Sequence, residues 1–168
     1  MRPPYRTGPN EVLARLPRAA YPHDMPTRKN RSASVIWEGN LRDGIGTMTT
    51  ESGVLSDTQY SFRTRFAEGI GTNPDELIAA SLSGCFSMAL ARELEGAGFL
   101  ADRIETTATT SLEDGPEGWS VTRLQLDVHA TVPRLSQKAF MKAALTAKET
   151  CPIARLLNAN ISMTASLN

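Results

Sequence analysis

Fifteen consecutive residues, Leu77 to Ala91, carry no charge, and they draw more heavily on Ala, Ser and Gly than on large apolar side chains. The run is shorter than the roughly 18 uninterrupted apolar residues that a membrane span needs. It also lacks the polar face of a helix that lies on a surface. What remains is a helix surrounded by protein on all sides, around which the rest of the chain has to be arranged. Its start is well specified: Asn73 is a good N-cap, Pro74 suits the first helical position, and Glu76 completes a capping-box spacing. Its end is expected near Gly96 or Gly98.

The flanking segments read as strands and two further helices. Ser34 to Glu38 and Gly46 to Glu51 are short β-prone runs around a turn at Asp43-Gly44. Gln59 to Phe66 alternates Tyr60, Phe62, Thr64 and Phe66 with polar residues, which predicts a third strand. Arg103 to Glu113 and Trp119 to Val132 alternate again around the turn-rich stretch from Asp114 to Gly118, which predicts a hairpin. Ser136 to Thr150 has a helical period, Pro152 to Asn158 reads as a short helical piece, and Ile161 to Leu167 closes as a strand. The order β-β-β-α-β-β-α-α-β predicts an α+β fold with antiparallel sheets around the buried central helix.

At 168 residues and 40% hydrophobic content, the chain closes one core. Residues 1–28 hold six of the ten prolines and no sustained period, so they read as a proline-rich tail to a domain spanning 29–168. The tail reads equally as a cover over a surface or a neighbouring subunit, as a disordered segment, or as the product of an upstream start codon with Met25 as the alternative. Basic and acidic residues balance at 18 each, so no global field favours nucleic acid or an anionic membrane, and neither is expected as a partner. The first residues lack the basic-then-apolar pattern of a secretory signal, and a cytoplasmic setting is expected. In that compartment a cysteine pair is more often reactive or metal-binding than structural.

The pair is Cys85 and Cys151. A free thiol is only about 3% ionised at pH 7, and shifting it to about pKa 6 takes roughly 3.4 kcal/mol. One cation at about 4 Å supplies about 4 kcal/mol at an effective dielectric of 20, so a single arginine suffices. Cys85 lies about three turns into its helix, beyond the reach of the positive end. Its helical neighbours Ile78, Ser81, Leu82, Met88 and Ala89 favour the neutral thiol, so an inert core cysteine is one reading of it. Cys151 precedes Pro152 at a helix start, where backbone N–H groups favour a thiolate, and on local chemistry it looks the more reactive. A small cap-like residue, or a structural disulfide with Cys85, are the alternatives. His23 and His129 have no ligand spacing to either cysteine, so no metal and no cofactor are expected. No G-x-S-x-G occurs, and Ser81, Ser83 and Ser87 read as small packing residues on the helix.

The strings WEGNLRDGIGTMTTESGVL, TRFAEGIGTNPDELIAASLSGCFSMAL and AKETCPIARLL, in that order, resemble the OsmC/Ohr family of thiol-dependent hydroperoxide reductases, on its OsmC side. The likeness runs from about residue 30 to the last. It implies an OsmC-like fold assembled as an intertwined homodimer with active sites at the subunit interface. It also implies a thiol peroxidase of oxidative or osmotic stress defence, acting on organic hydroperoxides and more weakly on hydrogen peroxide, and regenerated by a dithiol reductant such as a lipoyl-type one.

By the same resemblance, Cys85 is the peroxidatic cysteine and Cys151 the resolving one, while Arg65 in the TRF string activates the thiolate. Asp75 stands where the family has a glutamate, and Glu76 is a supporting acid. On an ideal helix Asp75 lies about 80° round from Cys85 and Glu76 about 180°, which favours Asp75. The two are still about 15 Å apart along the axis. Either Arg65 spans that gap or two copies of the helix pack antiparallel, which the small residues Ala79, Ala80, Ser81, Ser83, Gly84, Ser87 and Ala89 permit. The rival reading is a non-enzymatic small-molecule binding or interaction domain on the same scaffold.

Overall fold

The computed structural model describes residues 28–157 and 159–168. The proline-rich tail, apart from Arg28, lies outside the described residues. Ala33–Asn168 forms one compact unit.

Two three-stranded sheets make up its β-structure. In the first, β1 (Ala33–Glu38), β2 (Ile45–Thr50) and β3 (Thr58–Ser61) pair antiparallel. Gly46 sits opposite Tyr60, and a Cβ there would lie 2.1 Å from the tyrosine ring, so only glycine fits. The ring reaches across that gap to stand 5.4 Å from Trp37 on β1.

The alternating run from Gln59 to Phe66 is not one strand. It is strand only to Ser61 and then turns into helix α1, Phe62–Phe66. Ser61 and Thr64 cap it reciprocally: the Thr64 N–H reaches the Ser61 hydroxyl at 3.3 Å, and the Ser61 N–H reaches the Thr64 hydroxyl at 2.9 Å. Phe62 and Phe66 then meet at 4.7 Å as an i, i+4 pair. Residues four apart share a face in a strand and lie close on a helix, so the aromatic spacing fits both and the cap decides. Arg63 and Arg65 therefore lie on a helix and not on a strand.

Gly71, at φ +129°, folds the chain back so that the Thr72 N–H meets the Gln59 carbonyl at 3.0 Å; a Cβ at Gly71 would strike that carbonyl oxygen at 2.2 Å. Helix α2, Pro74–Gly96, starts there, with the Asn73 side chain accepting from the Glu76 N–H at 2.8 Å. Glu76 does not close the capping box on Asn73; its carboxylate accepts the Thr72 hydroxyl instead.

In the second sheet β4 (Arg103–Gly115) and β5 (Gly118–Thr131) form the expected antiparallel hairpin. The closing strand β6 (Asn160–Leu167) departs from expectation and runs parallel to β5. Two helices, α3 (Gln137–Thr150) and α4 (Pro152–Leu156), carry the chain from β5 back to the start of β6, and such a crossover returns a strand in parallel. The core lies between this sheet and α2 and α3. Leu124, Leu126, Val128 and Ala130 of β5 meet Leu82, Phe86, Leu90 and Leu94 of α2 and Phe140, Ala144 and Ala147 of α3. The outer face of the sheet is polar, with His129 Nδ1 2.7 Å from the Ser166 hydroxyl on β6.

In a single chain α2 is buried on one side only. By length and hydropathy it passes for a membrane span, with a mean hydropathy of 1.3 in its most apolar window, but its large side chains are the core. Ala80, Ser81, Gly84, Met88 and Ala91 are exposed along the other face, Met88 by 77%. Burial all round therefore does not hold within one chain.

Candidate active site

Cys85 projects from the middle of α2 and is half-buried, whereas Cys151 is fully buried; both are free thiols. Cys151 occupies the joint between two helices, ending α3 through an N–H bond to the Ala147 carbonyl at 2.9 Å and starting α4 by accepting from the Arg155 N–H at 3.0 Å. Pro152 forces this break, because proline at the first position of α4 cannot donate to a helix arriving from before it. The joint sets Cys151 in the core cluster against which Cys85 packs, near enough for the Cys85 side chain to act on the Cys151 thiol.

The Cys151 thiol is pushed above its ordinary value, chiefly by burial. The Ala154 backbone N–H opposes that shift, the Cys85 side chain adds to it, and the Ile153 N–H opposes it again. The helix start thus does what the sequence suggested, but desolvation wins. Cys151 is therefore held toward the neutral thiol, against the activation that its place at a helix start suggested. Beside Cys85, the Ser87 hydroxyl lies 2.9 Å from the Ser83 carbonyl and 2.8 Å from the Thr106 hydroxyl on β4, tying this stretch of α2 to the second sheet.

A second cluster stands at the start of α2. Arg65 grips Asp75 with two parallel bonds, Nε to Oδ2 at 2.9 Å and Nη2 to Oδ1 at 3.2 Å. The short aspartate is therefore long enough for a bidentate pair. The Asn73 amide donates to the Thr64 carbonyl at 3.0 Å, and the Thr110 hydroxyl donates to the Asp75 carbonyl at 3.1 Å, so α1, α2 and β4 converge here. An open cavity of about 370 Å³ lies alongside, lined by Arg65, Asn73, Asp75, Glu76, Thr110 and Leu112 among others. Neither cysteine lines it.

The sequence-derived residues therefore fall into two groups: Cys85 with Cys151, and Arg65 with Asp75, with Glu76 beside the latter. Asp75 and Cys85 are ten residues apart on one helix, about 15 Å along its axis. Sequence reasoning missed Trp119, whose ring stands 5.0 Å from that of Phe66, since nothing local links residues 53 positions apart. Among the described residues no group of three or more His, Cys, Asp or Glu side chains is placed to hold a metal ion.

Residues 67–166 match the sequence model of a family described as OsmC-like protein. Among curated relatives, peroxiredoxin OsmC of Escherichia coli (strain K12) is 42% identical over 134 residues, covering 80% of this chain and 94% of that protein. Organic hydroperoxide resistance protein-like 1 of Staphylococcus epidermidis is 35% identical over 98 residues, 58% of this chain and 69% of that one. Among solved structures, an organic hydroperoxide resistance protein from Elizabethkingia anophelis superposes with a TM-score of 0.66 at 22% identity, covering 86% of this chain and all of the other. An OsmC-like protein from Vibrio cholerae superposes with a TM-score of 0.67 at 19% identity, covering 83% of this chain and all of the other. These structural likenesses bear on fold, and the α+β architecture with its two small sheets is that of these proteins.

Proposed function

The chain belongs to the OsmC family, and from that premise we propose that it is a thiol peroxidase reducing organic hydroperoxides, and more slowly hydrogen peroxide, through Cys85 and Cys151. The observation that carries the reading is that a half-buried Cys85 on α2 packs against the core cluster holding the fully buried Cys151, whose thiol it helps to push up. One thiol can meet a substrate, and the other is held in reserve beside it.

In this reading the Cys85 thiolate attacks a peroxide oxygen. An S–O bond forms as the O–O bond breaks, and the departing alkoxide takes a proton and leaves as the alcohol. Cys85 is then a sulfenic acid. The Cys151 sulfur attacks it, an S–S bond forms, and hydroxide leaves as water with the Cys151 proton. An external dithiol, for which a lipoyl-type reductant is the candidate, returns both thiols by exchange. Arg65 stabilises the thiolate and the developing alkoxide, with Asp75 orienting it and Glu76 supporting the helix start. The setting is stress defence in the cytoplasm.

Arg65 is anchored at the first turn of α2, so a second copy is needed to bring it to Cys85. Midway between residues 75 and 85 lies residue 80, and there α2 exposes Ala80, Ser81 and Gly84. A Cβ on Gly84 would meet nothing within 4 Å. Two copies crossing antiparallel about that point place the Arg65–Asp75 pair of each chain beside Cys85 of the other. Strand β1, exposed along its whole length with Val35, Ile36 and Trp37 among its residues, offers further apolar surface to the same homodimer.

The test is turnover of cumene hydroperoxide with a dithiol. Cys85→Ser is expected to abolish it. Cys151→Ser is expected to leave a sulfenic acid on Cys85 that dimedone traps, with no intramolecular disulfide. A wild-type protein that consumes neither cumene hydroperoxide nor hydrogen peroxide sinks the enzyme reading in favour of a binding domain. Loss of the first oxidation in Cys151→Ser reverses the two roles.

A further inference from the structure

Trp119 lies at the end of the β4–β5 hairpin, opposite Asp114 and next to the Gly115–Gly118 turn, with 56% of its surface exposed. A large ring at such a tip gains little from burial. It has one aromatic partner among the described residues, Phe66 of α1, at 5.0 Å between centroids and an interplanar angle of 57°. Phe66 is also held from within its helix by Phe62 at 4.7 Å and 36°. On the same Phe66 ring, at 5.4 Å from its centroid, rests the guanidinium carbon of Arg65. Phe66 thus stands between Phe62 and Trp119 and beneath the arginine.

Helix α1 has five residues and is too short to hold its side chains by helical cooperativity alone. Asp75 engages Nε and Nη2 of Arg65. A guanidinium carries five N–H donors, so this fork leaves an edge free to face a thiolate or a peroxide oxygen. The carboxylate fixes one edge of that plane but not its tilt, and the Phe66 face behind it supplies the second constraint. Phe66 can do so only if its own ring is held, and among the described residues its aromatic contact from outside α1 is Trp119.

We propose that Trp119 is a positioning residue for Arg65, acting through the Phe66 ring and touching neither the thiols nor the guanidinium. The inference rests on the assignment of Arg65 to the peroxidase site. It separates from a packing role by what replaces the indole. Phenylalanine preserves a tilted ring pair, whereas leucine restores apolar cover without a ring.

The experiment compares Trp119→Ala, Trp119→Phe, Trp119→Leu, Arg65→Ala and the Trp119→Ala/Arg65→Ala pair, all in the full chain. Two rates are read: kcat/KM for cumene hydroperoxide, and alkylation of Cys85 by iodoacetamide at pH 5, where the rate follows the thiolate fraction, followed by mass spectrometry. Trp119→Ala is expected to slow both by roughly three- to tenfold, the range that a lost aromatic pair spans. Trp119→Phe should restore them and Trp119→Leu should not. In the Arg65→Ala background, Trp119→Ala should change nothing further. Full rescue by leucine, or effects of the two substitutions that multiply, overturns the proposal. Should the wild type consume no peroxide, the peroxidase reading falls alone. The alkylation rates still decide the role of Trp119, because non-additivity there upholds it and additivity overturns it.

Discussion

Removing the Arg65 guanidinium tests the two-chain site directly, because distance separates the alternatives. Were Arg65 to act on Cys85 of its own chain from the start of α2, the charges would stand about 15 Å apart. At an effective dielectric of 20 that is worth about 1 kcal/mol, and screening over a Debye length of about 10 Å cuts it to about 0.25 kcal/mol, less than a twofold effect. A guanidinium of a second copy at about 4 Å supplies about 4 kcal/mol, close to a thousandfold. Arg65→Ala should therefore slow Cys85 alkylation at pH 5, below the shifted value, and peroxide turnover by two to three orders of magnitude. The decisive assay mixes Cys85→Ser chains with Arg65→Ala chains, each inactive alone. After random exchange about half of the dimers are mixed, and each mixed dimer holds one complete site of two, so about a quarter of wild-type activity should return. If native mass spectrometry detects mixed dimers and the mixture stays inactive, the two-chain arrangement is refuted. An Arg65→Ala effect below twofold removes Arg65 from the mechanism altogether.

Three further outcomes follow from the fold. Because burial holds the folded Cys151 thiol above its ordinary value, its contribution to stability is complete below the unfolded value near 9 and is lost as pH rises through the folded one. Urea midpoints of the reduced protein should accordingly fall above pH 9, and Cys151→Ala should lose that part of the slope; identical slopes would contradict it. Phe86 is 0% exposed between α2 and the second sheet, so Phe86→Ala should lower unfolding stability by about 3–5 kcal/mol in denaturant titration. Gly46→Ala drives a methyl group into the Tyr60 ring and should cost about 1–3 kcal/mol in the same assay, with Tyr60→Ala in the same chain relieving part of it.

The central helix was legible in the sequence because its signals are local. Asn73 and Pro74 specify its start within one turn, whereas the burial on every side expected of its uncharged run holds on one face only, with Ala80, Ser81, Gly84, Met88 and Ala91 exposed on the other. The hairpin and the helix from Gln137 were legible for the same reason, each carrying its own period. What the alternation could not resolve was α1, where aromatic residues four apart suit strand and helix alike until the Ser61–Thr64 cap chooses. The parallel run of β6 was likewise hidden, since strand direction is a property of the crossover and not of the strand's own residues.

The residue types at these positions were determined by the sequence, and the surroundings of each by tertiary structure. A cysteine before proline at a helix start reads as activated, and the backbone N–H groups of Ile153 and Ala154 do act in that sense. Desolvation by side chains distant in sequence outweighs them and holds the Cys151 thiol above its ordinary value. Arg65 and Asp75 become a bidentate pair only because Gly71 turns the chain back beside Gln59, and the ring behind the guanidinium meets Trp119 only across the domain. Hydrogen-bond caps and periodicity act over a few residues and can be read along the chain. Solvation and charge act through space, so their balance at each thiol is decided only when the folded chain brings the remaining groups to it.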